Sequence, residues 1–145
     1  MTNIYMASKL KHARKWRELY LKAPQEIQIV SRWPFFLEVE VTSENARRFW
    51  KDNMADLERC DVVVVYLEEG DRLVGGIAEA GAALSMGKIV CVVGDTDNSS
   101  LGTWQYITGV RHFPTFMELF EYLIDNPTAD GWWKKNMDIF SDKFP

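Results

Sequence analysis

Two adjacent runs decide the fold: Asp61-Val62-Val63-Val64-Val65-Tyr66, then, after a polar loop through Gly70 and Asp71, Gly75-Gly76-Ile77-Ala78-Glu79-Ala80-Gly81-Ala82-Ala83. Residues 62–66 are uniformly apolar and rich in β-branched side chains, the pattern of a central parallel strand covered on both faces. Residues 76–86 read as a small-residue helix stopped by Gly87, and 89–93 as a second continuous apolar strand. The three pieces make a β-α-β unit. Ligands of a twisted parallel sheet bind at the carboxyl ends of its strands. Glu79, read in the first turn of the glycine-started helix, is therefore the best-placed carboxylate for chemistry.

Working outward, residues 4–7 read as a first strand, and 9–22 as a helix with Leu10, Ala13, Trp16, Arg17 and Tyr20 at helical spacing, ended by Pro24. Residues 27–31 make a second strand. Trp33-Pro34-Phe35-Phe36 reads as an extended aromatic connection, a loop or lid, because a residue before proline avoids the helical region. Thr42 and Ser43 offer N-caps for a helix running to Arg59, with Ala46, Phe49, Trp50, Met54 and Leu57 as its buried stripe. A polar loop over 94–106 precedes a fifth short strand at 110–113 and a helix at 115–124. Strands alternating with helices specify an α/β sandwich with a mainly parallel sheet. Right-handed crossovers favour the order 2-1-3-4-5, with a cleft between the first and third strands. Residues 1–126 form one domain. The tail at 127–145 carries Trp132, Trp133, Met137, Ile139, Phe140 and Phe144, too apolar for a free end, and is expected to pack on the domain or, preferably, on a partner subunit.

At 145 residues, 47% hydrophobic and with a net charge of -4, the chain has the composition of an ordinary globular protein, long enough to bury a core without staples. Nucleic acid is not the expected partner. The one basic stretch, 9–17, interleaves its charges with Leu10, Ala13 and Trp16 and reads as a solvated helix face. Cys60 and Cys91 have no metal or redox spacing, which fits reduced thiols, and Cys91 falls in a strand. The amino terminus enters a strand directly, without a signal-peptide core, and no apolar run reaches membrane-spanning length, so the expected location is cytoplasmic.

Several chemistries lack their motifs. The phosphate-cradling G-x-x-x-x-G-K-[ST] loop is missing, and Gly75-Gly76 lacks G-x-G-x-x-G spacing. His12 and His112 stand without ligands at metal spacing, and no G-x-S-x-G elbow occurs. Neither a metal nor a cofactor is called for.

The ordered motifs carry a positive signal. Tyr5-Met6-Ala7-Ser8 ends the first strand, Val30-Ser31-Arg32-Trp33 follows the second, and Asp56-Leu57-Glu58 with Cys60-Asp61 precedes the third and its Gly-Gly-x-x-Glu-x-Gly-x-Ala helix. Together, over residues 3 to 124, they resemble the nucleoside 2-deoxyribosyltransferase family, including its nucleotide N-glycosidase relatives. The resemblance implies a flavodoxin-like fold and a glutamate that attacks the anomeric carbon of the sugar, a role that falls on Glu79. A carboxylate is a competent nucleophile toward an oxocarbenium-like centre, and nearby helix-start amides would keep it ionised. The resemblance also implies a homodimer or higher oligomer, with the Pro145 carboxylate entering a partner's pocket.

Other roles follow residue by residue, each beside a plainer one. Gly75 and Gly76 allow close backbone approach to a sugar or simply make a tight turn. The family's nucleoside-holding aspartate falls at Asn53 here, which can hydrogen-bond but cannot accept a proton. Asp52 or Asp56 would substitute, or Asp56 is a solvated helix charge. Asp71 resembles the loop acid that contacts substrate. Ser8 and Lys9 would bind a 5'-hydroxyl or 5'-phosphate, or Ser8 is an N-cap. Tyr5 and Trp33 would sandwich a base or fill the core. Arg32 would pair with a phosphate, or with Glu38 or Glu40. The expected activity is cleavage of the N-glycosidic bond of a 2'-deoxynucleoside or its 5'-monophosphate, with transfer to another base or to water. The alternatives are a non-catalytic nucleotide-binding or sensing protein and, more remotely, cleavage of a larger nucleotide such as NAD.

Overall fold

The computed structural model describes residues 1–36, 40–95, 101–107 and 110–126. Five strands, β1 (Thr2–Ala7), β2 (Ile27–Ile29), β3 (Val62–Leu67), β4 (Ile89–Gly94) and β5 (Arg111–Phe113), form one sheet in the order β2-β1-β3-β4-β5. Every neighbouring pair is parallel. Among the described residues four α-helices connect or follow them: α1 (Ala13–Lys22), α2 (Ala46–Arg59), α3 (Gly75–Ser85) and α4 (Phe116–Asp125). The expected α/β sandwich and strand order are observed. The tail at 127–145 and residues 96–100 of the polar loop lie outside the described residues, as does Glu38.

The centre of the sheet is where the valine run placed it. All six residues of β3 are buried, as are the first five of β4, Cys91 among them. Burying each such side chain stabilises the fold by roughly 1.5–3 kcal/mol, which is why neither strand tolerates polar alternation. α3 stops as expected: Gly87 adopts a left-handed φ of 72°, and Lys88 N–H donates to Ala83 O at 2.9 Å, closing the last turn.

The periphery departs from the sequence reading in several places. β2 ends at Ile29. Ser31 no longer pairs through its backbone; its hydroxyl instead accepts from Met6 N–H at 3.2 Å. Trp33–Phe35 is a 3-10 turn, not an extended segment: Pro34 sits in the first turn, where its missing N–H costs nothing. α2 begins later than the Thr42 and Ser43 caps imply, because Thr42 and Asn45 bond each other's backbone N–H and form a turn before the helix. Its buried side chains are Asp56 and Leu57, while Trp50 is 39% exposed. On the first helical stretch Ala13 and Trp16 are buried, but Leu10 and Tyr20 face outward. Among the described residues no helix is long and apolar enough to cross a membrane.

Candidate active site

A cavity of about 720 Å³ opens beyond the carboxyl end of β1 and against the start of α3. That volume suits a small organic ligand. β1 supplies one rim through Ser8, Lys9 and Leu10, which follow its last residue; the loop before α3 supplies Arg72, Leu73 and Val74. Gly75, Gly76 and Glu79 of α3 line the cavity, as do Trp33, Phe36, and Phe49, Trp50 and Asn53 of α2. A second hollow of about 520 Å³, beyond β3 and β4, is lined by none of the expected site residues.

Glu79 is 7% exposed and faces the larger cavity. It is the fifth residue of α3, and no acidic residue lies in that helix's first turn, so the expected proximity to the helix-start amides is not found. The physical consequence is a reversal. Burial, rather than the helix dipole, dominates and pushes the carboxyl up to about 7, with Tyr5 partly offsetting it. Tyr5 Oη and Glu79 Oε2 each lack a hydrogen-bond partner among the described residues, although the phenol is near enough to favour the carboxylate. Burial first, and then the Glu79 charge, raise the Tyr5 phenol far above its ordinary range, so it stays protonated.

Gly75 and Gly76 are helical and have no positive φ. A Cβ on Gly75 would sit 3.8 Å from Glu79 Oε1, and one on Gly76 would sit 3.8 Å from the Ala7 carbonyl carbon. Both are ordinary van der Waals distances, so a methyl group would be accommodated at either position and the expected close backbone approach is not required by the packing.

The remaining expected residues divide into two groups. Ser8, Lys9, Trp33 and Asn53 line the cavity. Trp33 is fixed by its indole N–H donating to Met6 O at 2.7 Å, and Ser8 Oγ accepts from Trp16 Nε1 at 2.7 Å. Tyr5, Asp56 and Asp71 do not line it. Tyr5 is a core residue whose hydroxyl lies near enough to Glu79 for each group to shift the other's titration. Asp71 ties the loop down: its carboxylate meets Lys11 Nζ and His12 Nε2, both at 2.7 Å, and accepts from Glu68 N–H at 2.9 Å. Although burial would raise it, Lys11, the Glu68 amide and His12 together hold the Asp71 carboxyl well below the usual range. His12 therefore has carboxylate company that its sequence neighbours do not reveal.

Asp56 is fully buried and accepts from Arg32 N–H at 3.0 Å, Arg32 Nε at 2.9 Å and Arg59 Nη2 at 2.6 Å. It is not a solvated charge, and it does not line the cavity. Arg32 likewise pairs with Asp56 rather than with Glu40. Asp56→Ala is expected to destabilise the protein by roughly 2 kcal/mol in urea unfolding. It strands the Arg32 amide, but the two guanidinium groups remain half-exposed to water.

Sequence reasoning missed Arg72, Leu73 and Val74 as cavity residues and read Phe49 and Trp50 as core. The available signal was the spacing of Phe49, Trp50 and Asn53, which puts one amide on the face of two aromatics.

No protein-family model matches the sequence, and no curated protein matches it either. Solved structures do. A 2-deoxyribosyltransferase from the psychrotolerant Bacillus psychrosaccharolyticus superposes with a TM-score of 0.63 at 20% identity, over 83% of this chain and 92% of that one. A CMP N-glycosidase from Clostridium botulinum superposes with a TM-score of 0.54 at 16% identity, over 85% of this chain and 98% of that one. The chain therefore has the fold shared by a 2-deoxyribosyltransferase and a CMP N-glycosidase, with Glu79 lining a cavity of about 720 Å³.

Proposed function

We propose that this chain is a member of the nucleoside 2-deoxyribosyltransferase family that cleaves the N-glycosidic bond of a 2'-deoxynucleoside or its 5'-monophosphate. The observation that carries the reading is Glu79: one carboxylate with an unpartnered oxygen, lining a cavity of nucleoside size. A Glu79 oxygen attacks C1' as the C1'–N bond breaks; the base leaves with the bonding pair and takes up a proton. Water or a second base then attacks C1' and frees the carboxylate. Trp33, Phe49 and Trp50 offer flat apolar surface to the base, and Asn53 offers it a donor and an acceptor. Asp71 acts indirectly, by holding the loop that carries Arg72, Leu73 and Val74 against Lys11 and His12.

The test is incubation with deoxynucleosides, their monophosphates and NAD, with and without a free acceptor base, following base release by chromatography. The reading expects release from at least one deoxynucleoside or deoxynucleotide. A second reading, a binding or sensing protein, draws on Asn53, an amide where an acid would serve proton transfer. Tight binding of these ligands without release by the wild type would select it.

The titration of Glu79 gives this reading a pH signature. Attack needs the anion, and the carboxyl is raised to about 7. kcat/KM for base release is expected to rise about tenfold per pH unit below that value and to level off above it. A rate that is flat from pH 5 to 8 would contradict attack by Glu79.

A further inference from the structure

A buried histidine that the glycosidic chemistry does not use ties together two segments that line the cavity. Residues 68–74 run as a strap from the end of β3 to the start of α3, and Arg72, Leu73 and Val74 of the strap line the cavity. The turn after β1 lines it through Ser8, Lys9, Leu10 and Lys11. His12, the next residue, is not among the lining groups. It is buried, with its ring edge-on to Tyr66 of β3 at 5.1 Å between centroids and its N–H donating to Lys9 O at 3.1 Å. Its own turn and the sheet therefore fix the ring.

The strap brings an acid to that ring. Asp71 N–H donates to Glu68 O at 3.0 Å, closing a turn in which Gly70 takes a left-handed φ of 82°, and the Asp71 carboxylate accepts from Glu68 N–H at 2.9 Å. Several ties then cross to the strap from the residues after β1, and exposure to water ranks them. Lys9 Nζ donates to Arg72 O at 3.1 Å on the surface. Lys11 Nζ lies 2.7 Å from Asp71 Oδ1 with 58% of its side chain exposed, and Lys15 meets Glu68 at 2.8 Å with both side chains half-exposed. Ties of that kind are screened, and each shifts an equilibrium by about fivefold or less. His12 Nε2 and Asp71 Oδ2 are 2.7 Å apart, and both side chains are buried. A hydrogen bond to a charged acceptor is worth roughly ten- to a hundredfold, so this tie dominates. Asp71, held ionised, can only accept; Nε2 therefore carries the proton, in the neutral and the charged ring alike.

Resting on the glycosidic reading above, we infer that His12 is a positioning residue for the reaction: through Asp71 it clamps the strap to the turn after β1 and keeps the wall formed by Arg72, Leu73 and Val74 in the shape that binds substrate. Without the clamp the strap is closed in only a fraction of the molecules, and apparent affinity falls by that fraction. Glu79 itself stays in place, because α3 is anchored by its own buried residues Ala80, Ala83 and Leu84. The loss is therefore one of binding, not of chemistry.

The experiment compares wild type with His12→Leu, which cannot donate to Asp71, and His12→Gln, whose amide nitrogen reaches the place of Nε2. Two quantities are measured: KM and kcat for base release from the deoxynucleoside or deoxynucleotide that the wild type cleaves best, and hydrogen exchange at the backbone amides of Glu68 and Asp71, with those of β3 as the reference. His12→Leu is expected to raise KM about tenfold or more while kcat stays within about threefold, and to speed exchange of the two strap amides by about tenfold or more with β3 unchanged. His12→Gln should restore most of both. If His12→Leu does not fold, His12→Asn, polar but too short to reach Asp71, takes its place. An unchanged KM, a fall in kcat at constant KM, no rescue by glutamine, or exchange that rises equally in β3 overturns the inference and leaves the glycosidic reading intact. If the wild type releases no base, the glycosidic reading fails. The clamp then stands or falls on exchange alone: faster strap amides in His12→Leu, reversed in His12→Gln, uphold it, and unaltered ones overturn it.

Discussion

Glu79→Ala is expected to lower base release by on the order of a thousandfold or more, because it removes the atom that forms the new bond to C1' and leaves only binding and positioning. Loss of folding does not explain such a result, and Glu79→Gln shows why. A carboxyl raised from 4.5 to about 7 is penalised in the folded state only when ionised. Below about pH 4.5 the proton is bound in both the folded and unfolded chains, and the penalty is absent. It develops as the pH rises through 7 and is complete above. Glutamine, always neutral, should therefore gain stability relative to wild type by roughly 3 kcal/mol between pH 4 and pH 8. An inactive variant that is the more stable protein at pH 8 separates chemistry from fold. Denaturant unfolding at the two pH values measures this, and an unchanged difference would mean that Glu79 is not buried as described.

The largest structural effect should come from Gly94. It ends β4 with a φ of 100°, in the left-handed region, and a Cβ there would collide with the Leu67 carbonyl oxygen. The contact is backbone against backbone between two central strands that pair at Leu67 and Gly94, so neither can yield without breaking the pairing. Gly94→Ala combines a conformational cost of about 1 kcal/mol with overpacking of about 1–3 kcal/mol. A loss of roughly 3 kcal/mol in urea unfolding is expected. A loss below about 1 kcal/mol would mean that the end of β4 relaxes freely.

The legible parts of this protein were those whose cause is local. Val62 to Val65 are apolar on both faces of a strand, and nothing but a central position accommodates that. Gly87 stops α3 because the left-handed conformation is a property of glycine itself. The illegible parts depend on partners distant in sequence. Asp56 reads as a substrate-holding acid or a solvated charge because its partner Arg32 lies 24 residues away, and His12 reads as solitary because Asp71 lies 59 away. The site divided in the same way. The place of Glu79 after a central strand leads to a residue that lines the cavity, but its position in the helix is off by one turn: in the first turn the amides would hold it ionised, whereas in the second burial prevails. Phe49 and Trp50 were assigned to the core because a helix face turned toward a cavity has the same periodicity as one turned toward the interior.

The most direct measurement is covalent capture. A nucleotide bearing fluorine at C2', which destabilises positive charge at C1', slows breakdown of a glycosyl-enzyme and lets it accumulate. After incubation with such a compound, peptide mass spectrometry is expected to find one pentosyl group on the peptide that carries Glu79, together with one equivalent of released base. Base release with no adduct, or an adduct on any other side chain, would contradict the role given to Glu79.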